Sequence, residues 1–363
     1  MLRKLKTIKP LYYLLLGFPL AVLGSLLRWN PVFTFASACV GLVPLAGLIG
    51  EATESLAAVT GPRIGGLLNA TLGNAAELII TIVAIKAGYL ELVKASITGS
   101  IIGNLLLVMG FSLLLGGLKN GTQRFSRAHA ATNATMLVLA VVALSVPSLF
   151  NHSLSGASLP GTITEAMSLG VAVVMIAVYL LGLFASLRSK DSALAQAAPA
   201  EAPRWPPRAS VLVLVLATAA VVWLSEILVH EVDAVMKASG LSEFFLGIIL
   251  IPIIGNAAEH LVGVQMALKN HMELSLEIAV GSGLQIALFV APVLVFVAPL
   301  FGQELTLVFN SFELIALLGC SVVAALVSLD GESNWLEGAQ LLVLYVILAL
   351  AFFYLPTAAA GGG

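Results

Sequence analysis

Residues 73–77 read GNAAE, and residues 255–259 read GNAAE again. Both copies lie in apolar surroundings, NATLGNAAELIITIVAI at 69–85 and LIPIIGNAAEHLVGVQM at 250–266. Each copy therefore carries a carboxylate, Glu77 or Glu259, into a setting where an isolated charge is costly and usually functional. The rest of the chain says what that setting is. Of 363 residues, 60% are hydrophobic and only 10% charged, and the mean hydropathy is +1.05. A soluble domain carries roughly a quarter charged residues, so this composition points to a chain within a lipid bilayer.

A bilayer-crossing helix needs about 20 mostly apolar residues. Eleven segments qualify, at roughly 11–27, 32–58, 64–88, 95–118, 129–150, 163–187, 209–236, 243–268, 274–300, 306–328 and 336–356. The first has a basic start but no small-residue cleavage site after it, and reads as a retained span rather than a signal peptide. Residues 188–208, RSKDSALAQAAPAEAPRWPPR, form the one long polar stretch and read as a linker on the cytoplasmic side. With the N-terminus inside, 13 of the 17 Lys and Arg residues fall on cytoplasmic segments. That bias predicts a cytoplasmic N-terminus and an outside C-terminus.

The copies are 182 positions apart, 255 against 73, on expected spans three and eight. Spans separated by an odd number cross in opposite directions, so the motif is predicted to occur as an inverted repeat, an architecture of secondary transporters. Glu91 matches Glu273, Gly99 matches Gly281 and Ser100 matches Ser282 at the same offset. With a small gap, Glu54 falls opposite Asp233 and Gly61 opposite Gly240. The expected fold is an all-α polytopic membrane protein of eleven helices. Five spans (2–6) repeat as five (7–11), and the first helix is extra. The expected divisions are 1–29, with the extra helix; 30–187, the first half; 188–208, the linker; and 209–357, the second half.

Asn and Glu three apart share a helical face, so Asn74 goes with Glu77 and Asn256 with Glu259. Gly73, Gly255 and Pro252 favour interrupted backbone and released carbonyl oxygens. The following spans add Ser100 with Asn104 and Ser282 with Gln285, again sharing faces. If these helices face one another, they enclose two carboxylates, amide oxygens and hydroxyls. Hard oxygen donors suit Ca²⁺, Mg²⁺ or Mn²⁺ rather than Zn²⁺ or Cu²⁺. Two carboxylates balance one divalent ion. With the ion gone they repel in a low dielectric, and protons can take its place. Bland roles compete: a glutamate bridging helices, an asparagine joining them, a serine bonding the preceding turn. Cys39 and Cys320 lie far apart and read as core residues. Net charge −2 leaves no footprint for nucleic acid.

The motifs also resemble a known family. GGLLNATLGNAAELI (65–79), SITGSIIGN (96–104), GNAAEH (255–260), GSGLQIALFVAP (281–292) and DGESNWLEGAQLLVLY (330–345) are similar to the Ca²⁺/H⁺ antiporters of the cation exchanger (CAX) family, within the calcium/cation antiporter superfamily. The resemblance covers about residues 40–356. It implies exchange of Ca²⁺ for H⁺ by alternating access, spans 2 and 7 sliding against the bundle. It makes Glu77 and Glu259 the central carboxylates, with Asn74, Asn256, Ser100, Asn104, Ser282 and Gln285 around them. By the same resemblance Glu54 and His260 belong to the ion pathway or its gate. Several relatives carry an acidic helix in the linker; here it holds only Asp191 and Glu201 against four basic residues.

Weaker readings complete the set. Glu226 and His230 are a possible pair four apart. His129, His152 and His271 are expected to face solvent. Asp330, Glu332 and Glu337 read either as a cation-attracting cluster or as a helix cap. No cofactor is called for beyond the transported ions, and nothing in the sequence signals an oligomer. The lipid bilayer is the one certain partner, and a prokaryotic plasma membrane the expected place. A sodium-coupled exchanger of the same superfamily is the alternative; the Ala-Ala before each glutamate lacks the hydroxyls of a monovalent-ion cage. A membrane-embedded enzyme is a remote third, since neither HExxH nor GxSxG occurs.

Overall fold

In a computed structural model, residues 10–153, 161–188 and 203–355 are described, and nearly all are helical. A 3₁₀ turn at Pro10–Leu16 leads into α1 (Gly17–Leu26), then α2 (Pro31–Thr60), α3 (Pro62–Leu72), α4 (Ala75–Lys86) and α5 (Leu90–Ile102). A π-helical stretch at Gly103–Val108 joins α5 to α6 (Met109–Asn120), followed by α7 (Arg127–Ser153) and α8 (Gly161–Arg188). Next come α9 (Pro207–His230), α10 (Val232–Ser239), α11 (Glu243–Phe245), a π stretch at Leu246–Leu250, α12 (Ile251–Gly255) and α13 (Ala257–Leu268). Then α14 (Met272–Gln285) runs through a π stretch at Ile286–Val290 into α15 (Ala291–Val297), and α16 (Ser311–Val327) and α17 (Trp335–Tyr354) follow. Strands β1 (Gln123–Arg124) and β2 (Glu332–Ser333) pair antiparallel.

Local chemistry sets the helix starts. Asn30 accepts from the amides of Val32 and Phe33 at the head of α2, where Pro31 needs no donor partner. Asn310 with Glu313, and Asn334 with Glu337, close reciprocal capping boxes on α16 and α17. Glu337 thus caps α17, and Glu332 pairs with Arg124.

Among the described residues seven helices are long and apolar enough to cross a membrane, or eight if the pair Val232–Ser239 and Glu243–Gly255, bent by 112°, is one span. They cover expected spans 2, 4, 5, 6, 7, 9 and 11. Expected spans 1 and 10 fall on the shorter apolar helices Leu11–Leu26 and Ser311–Val327. Expected spans 3 and 8 are not single rods: each is broken at its GNAAE motif.

The chain divides into two compact units, each drawing segments from both sides of residues 188–208. The first comprises Met1–Val83, Leu183–Leu241 and Ile254–Ala258. Its centre is α2, against which α1, α3, α9 and α10 pack. A Cβ on Gly17 would lie 2.5 Å from the amide nitrogen of Gly41, so α1 and α2 meet backbone to backbone.

The second unit comprises Ala84–Gly182, Ser242–Ile253 and Glu259–Gly363. Its centre is the rod α5–α6, of whose most apolar window 72% is buried, against 17% for 163–185 in α8. Rods with apolar surface left exposed, such as α8 with Val174 and Leu181, suit lipid. Helix α17 lies along α6, and α7 packs on α14 and α16. A Cβ at Gly99 would strike the carbonyl group of Ile248, so α5 seats directly on the π stretch at 246–250. The Glu243 carboxylate accepts from the Leu92 amide at 2.9 Å across the same crossing.

Backbone features recur at the spacing of the motif. Gly88 (φ 86°) and Asn270 (φ 65°), 182 apart, both turn the chain ahead of α5 and α14. Gly61 and Gly240, and Gly121 and Gly302, are further positive-φ pairs at 179 and 181. The π stretches opening at Gly103 and Ile286 are 183 apart.

Candidate functional site

The first motif straddles two helices. Helix α3 ends at Leu72, Gly73 and Asn74 form a turn, and Ala75 opens α4. Gly73 keeps helical dihedrals and donates its amide to Asn69. In the second motif α12 ends at Gly255, Asn256 is the turn, and Ala257 opens α13. Glu77 and Glu259 therefore both occupy the first turn of a helix that begins inside the apolar segment. Such a break ends one short helix in carbonyl oxygens and starts the next with amides. The macrodipole adds positive potential at the carboxylate end.

Within the first unit the two copies meet. The Asn256 side chain donates from Nδ2 to Glu77 Oε1 at 2.8 Å. A Cβ on Gly255 would stand 3.3 Å from Glu77 Cγ, so the glycine is what lets the carboxylate stem pass this close. Glu77, Asn74 and Asn256 are all buried, at 2%, 3% and 2% exposure. Glu54 is exposed on α2.

Within the second unit a chain of hydrogen bonds ends on Glu259. Asn104 Nδ2 donates to Ser282 Oγ at 3.0 Å, and Ser282 Oγ donates to Glu259 Oε2 at 2.8 Å. Ser100, Asn104 and Ser282 are buried, while Gln285 and Glu259 are half-buried. Asn104 sits in the π stretch that follows α5, and Ser282 and Gln285 lie at the end of α14, just before its own π stretch. Such wide turns interrupt the regular ladder and concentrate at functional positions.

His260 turns elsewhere. Neighbours on a helix do not share a face, and His260 lines an apolar cavity of about 390 Å³ with Val108, Phe111 and Leu261. Its buried Nε2 has no hydrogen-bond partner among the described residues. His129 keeps a side chain 43% exposed and pairs with Glu273 at 3.2 Å, where α7 packs on α14. Glu226 and His230 are both exposed on α9.

The buried Glu313 escaped the sequence reading, as did the partners of Glu51. Glu313 is buried, accepts from the Thr98 hydroxyl at 2.9 Å, and accepts from the Asn310 amide at 2.9 Å. Asn310-x-x-Glu313 is a capping-box spelling and was the available signal. Glu51 is held by Tyr12 and Arg204; nothing local in the sequence indicated that. Among the described residues no group of three His, Cys, Asp or Glu forms a ready-made metal cluster.

The chain is 45% identical over 359 residues to a Ca²⁺/H⁺ antiporter of Aphanothece halophytica, covering 94% of this chain and 96% of that one. It is 45% identical to the Ca²⁺/H⁺ antiporter ChaA of Bacillus subtilis, covering 93% and 97%. The solved structure of native YfkE matches with a TM-score of 0.83 at 42% identity, over 95% of this chain and 99% of that one. A sodium–calcium exchanger, NCX_Mj, matches in fold alone, at 17% identity and a TM-score of 0.51, over 86% and 98%. Residues 30–188 and 209–354, both sides of the linker, match the family described as sodium/calcium exchanger protein, and with the CAX motifs in place the chain belongs to that family of membrane antiporters.

Proposed function

We propose that the chain exchanges Ca²⁺ for protons across a membrane by alternating access, with Glu77 and Glu259 as the carboxylates that take either the cation or protons. The observation that carries this is the paired placement of the two motif glutamates. Each stands in the first turn after a helix break, and each accepts from a neutral donor, Asn256 or Ser282. A neutral donor orients a carboxylate without cancelling its charge, so the charge remains for a divalent ion or a proton. Asn74, Asn256, Ser100, Asn104, Ser282 and Gln285, with backbone at Gly73 and Gly255, would complete an oxygen-rich coordination that suits Ca²⁺ and admits Mn²⁺. Glu54 and His260 would belong to the pathway.

The inverted five-plus-five repeat and eleven crossings belong to the same reading. The recurring positive-φ turns and π stretches support it, as does the fall of the remaining four expected spans on shorter or broken helices. The bacterial relatives favour a plasma membrane. A cytoplasmic N-terminus rests on the distribution of Lys and Arg.

The deciding experiment is ⁴⁵Ca²⁺ uptake into proteoliposomes with a proton or a sodium gradient imposed separately. Proton-driven uptake that is absent from Glu77→Gln is expected. Uptake driven by sodium alone would transfer the chain to the sodium-coupled alternative.

A further inference from the structure

Helix α2 carries Gly47, Glu51 and Glu54 at spacings of four and three, which places them along one face. At Gly47 that face looks onto the motif: a Cβ there would meet Leu11 Cδ2 at 3.6 Å and the Cβ of Ala258, the residue before Glu259, at 3.7 Å. One turn along, the face is occupied by a cation from elsewhere in the chain. Arg204 Nη1 pairs with Glu51 Oε2 and also donates to the Tyr12 hydroxyl at 2.9 Å. Tyr12 donates to the same Glu51 oxygen at 2.7 Å. The guanidinium carbon lies 5.5 Å from the Tyr12 ring centre and 5.1 Å from that of Trp205. Two aromatic faces, a hydroxyl and a carboxylate make a fitted seat for a guanidinium. All of these groups belong to the first unit.

We propose that Arg204 is a tethered competitor for the cation at Glu51, and so sets the affinity with which Ca²⁺ is taken up from the linker side. The chemistry is simple competition. A carboxylate on the motif-facing side of α2 attracts a divalent ion, and an intramolecular guanidinium occupies it at high effective concentration. Ca²⁺ arriving from that side must displace Arg204 before Glu51 can pass it towards the motif. An Arg204 that merely fastened the linker to α2 would affect folding and turnover but not affinity. The inference rests on the exchange reading, with Glu51 and Arg204 both lying outside the motif residues.

The test uses the full-length protein in vesicles with the linker side outward, measuring KM and kcat for proton-driven ⁴⁵Ca²⁺ uptake. Equilibrium ⁴⁵Ca²⁺ binding to purified protein is measured alongside. Arg204→Gln is expected to lower KM about threefold with kcat unchanged, the scale of a half-exposed ion pair. Glu51→Gln is expected to raise KM, and Arg204→Gln added to it to change nothing further. Arg204→Lys, which keeps the charge but not the planar stacked fit, should give a KM between those of wild type and Arg204→Gln. A KM unmoved by Arg204→Gln, or moved equally with and without Glu51, overturns the proposal. So does a fall in kcat and thermal stability at constant KM. Should wild type show no proton-driven uptake, the exchange reading fails by itself. The binding measurements, tighter for Arg204→Gln only when Glu51 is present, then decide the competition separately.

Discussion

The two GNAAE copies are identical in sequence and differ in setting. Glu77 is sealed at 2% exposure and bonded by Asn256. Glu259 is half-buried and bonded by Ser282, whose own oxygen is engaged by Asn104. One carboxylate is held by the other copy of its own motif; the second is held from the following span. Identical letters fix which side chain is presented and where the helix breaks. The neighbours fix how wet that side chain is and what a cation must displace to reach it.

The strongest way to break this comparison is to remove each charge in turn. Glu77→Gln and Glu259→Gln preserve shape and hydrogen-bonding reach while deleting the group that balances a divalent ion. Both are expected to reduce Ca²⁺ uptake by about a hundredfold or more, in line with loss of a desolvated charged partner, while inserting in the membrane at normal levels. Near-normal transport in either would end the equivalence of the two copies.

The repeat can be tested just as sharply away from the carboxylates. Gly99 and Gly281 occupy matching positions, yet a Cβ at Gly99 strikes Ile248 whereas one at Gly281 meets nothing within 4 Å among the described residues. Gly99→Val is expected to cost about 3 kcal/mol or more of stability by overpacking, read as a large fall in melting temperature in detergent. Gly281→Val should leave that temperature within a few degrees. Equal losses at both sites would mean that the packing is symmetric.

Much of this was legible in the sequence. Hydropathy placed seven of the expected spans on long apolar helices, and the duplicated motif with its flanks marked Glu77, Glu259, Asn256, Asn104 and Ser282, which the structure joins in two hydrogen-bonded groups. Hydropathy alone did not show that the segments at 64–88 and 243–268 stop and restart at the motif, although Gly73, Gly255 and Pro252 pointed to interrupted backbone there. Gly-Asn is compatible with continuing a helix, Gly73 even keeps helical dihedrals, and the apolar run does not change across the break. Nor could it show Glu313 against Thr98 or Glu51 against Arg204, 215 and 153 positions apart. Contacts of that range are made by packing, and no local pattern announces them. His260, which the family resemblance assigns to the pathway, lines an apolar cavity one step along the helix from Glu259, and hydropathy alone did not show that cavity.

The neutral donors come next in size. Asn256→Ala strips the Glu77 carboxylate of a buried hydrogen bond, and leaving a buried charged acceptor short costs about 1–3 kcal/mol. The expected result is an apparent Ca²⁺ affinity about tenfold weaker. Asn74→Ala, the matching substitution in the other copy, sharpens the contrast: the two alanine variants are expected to differ, and identical losses would return the motifs to equivalence.

The smallest effect is a coupling rather than a loss. Asn104, Ser282 and Glu259 form a relay in which the serine both receives from the amide and donates to the carboxylate. A hydroxyl held by a donor on one side is a better donor on the other, so the two bonds strengthen each other. Asn104→Ala and Ser282→Ala should therefore be non-additive: once Ser282 is gone, Asn104 has no route through it to Glu259. A double-mutant cycle on Ca²⁺ KM is expected to give a coupling of about 1 kcal/mol, within the range for residues in one network. The same cycle between Asn104, which reaches Glu259 through Ser282, and Asn256, which bonds Glu77, should close near zero. A coupling of similar size there would mean that the carboxylates are read as one site from both sides, and that the difference between the copies disappears during transport.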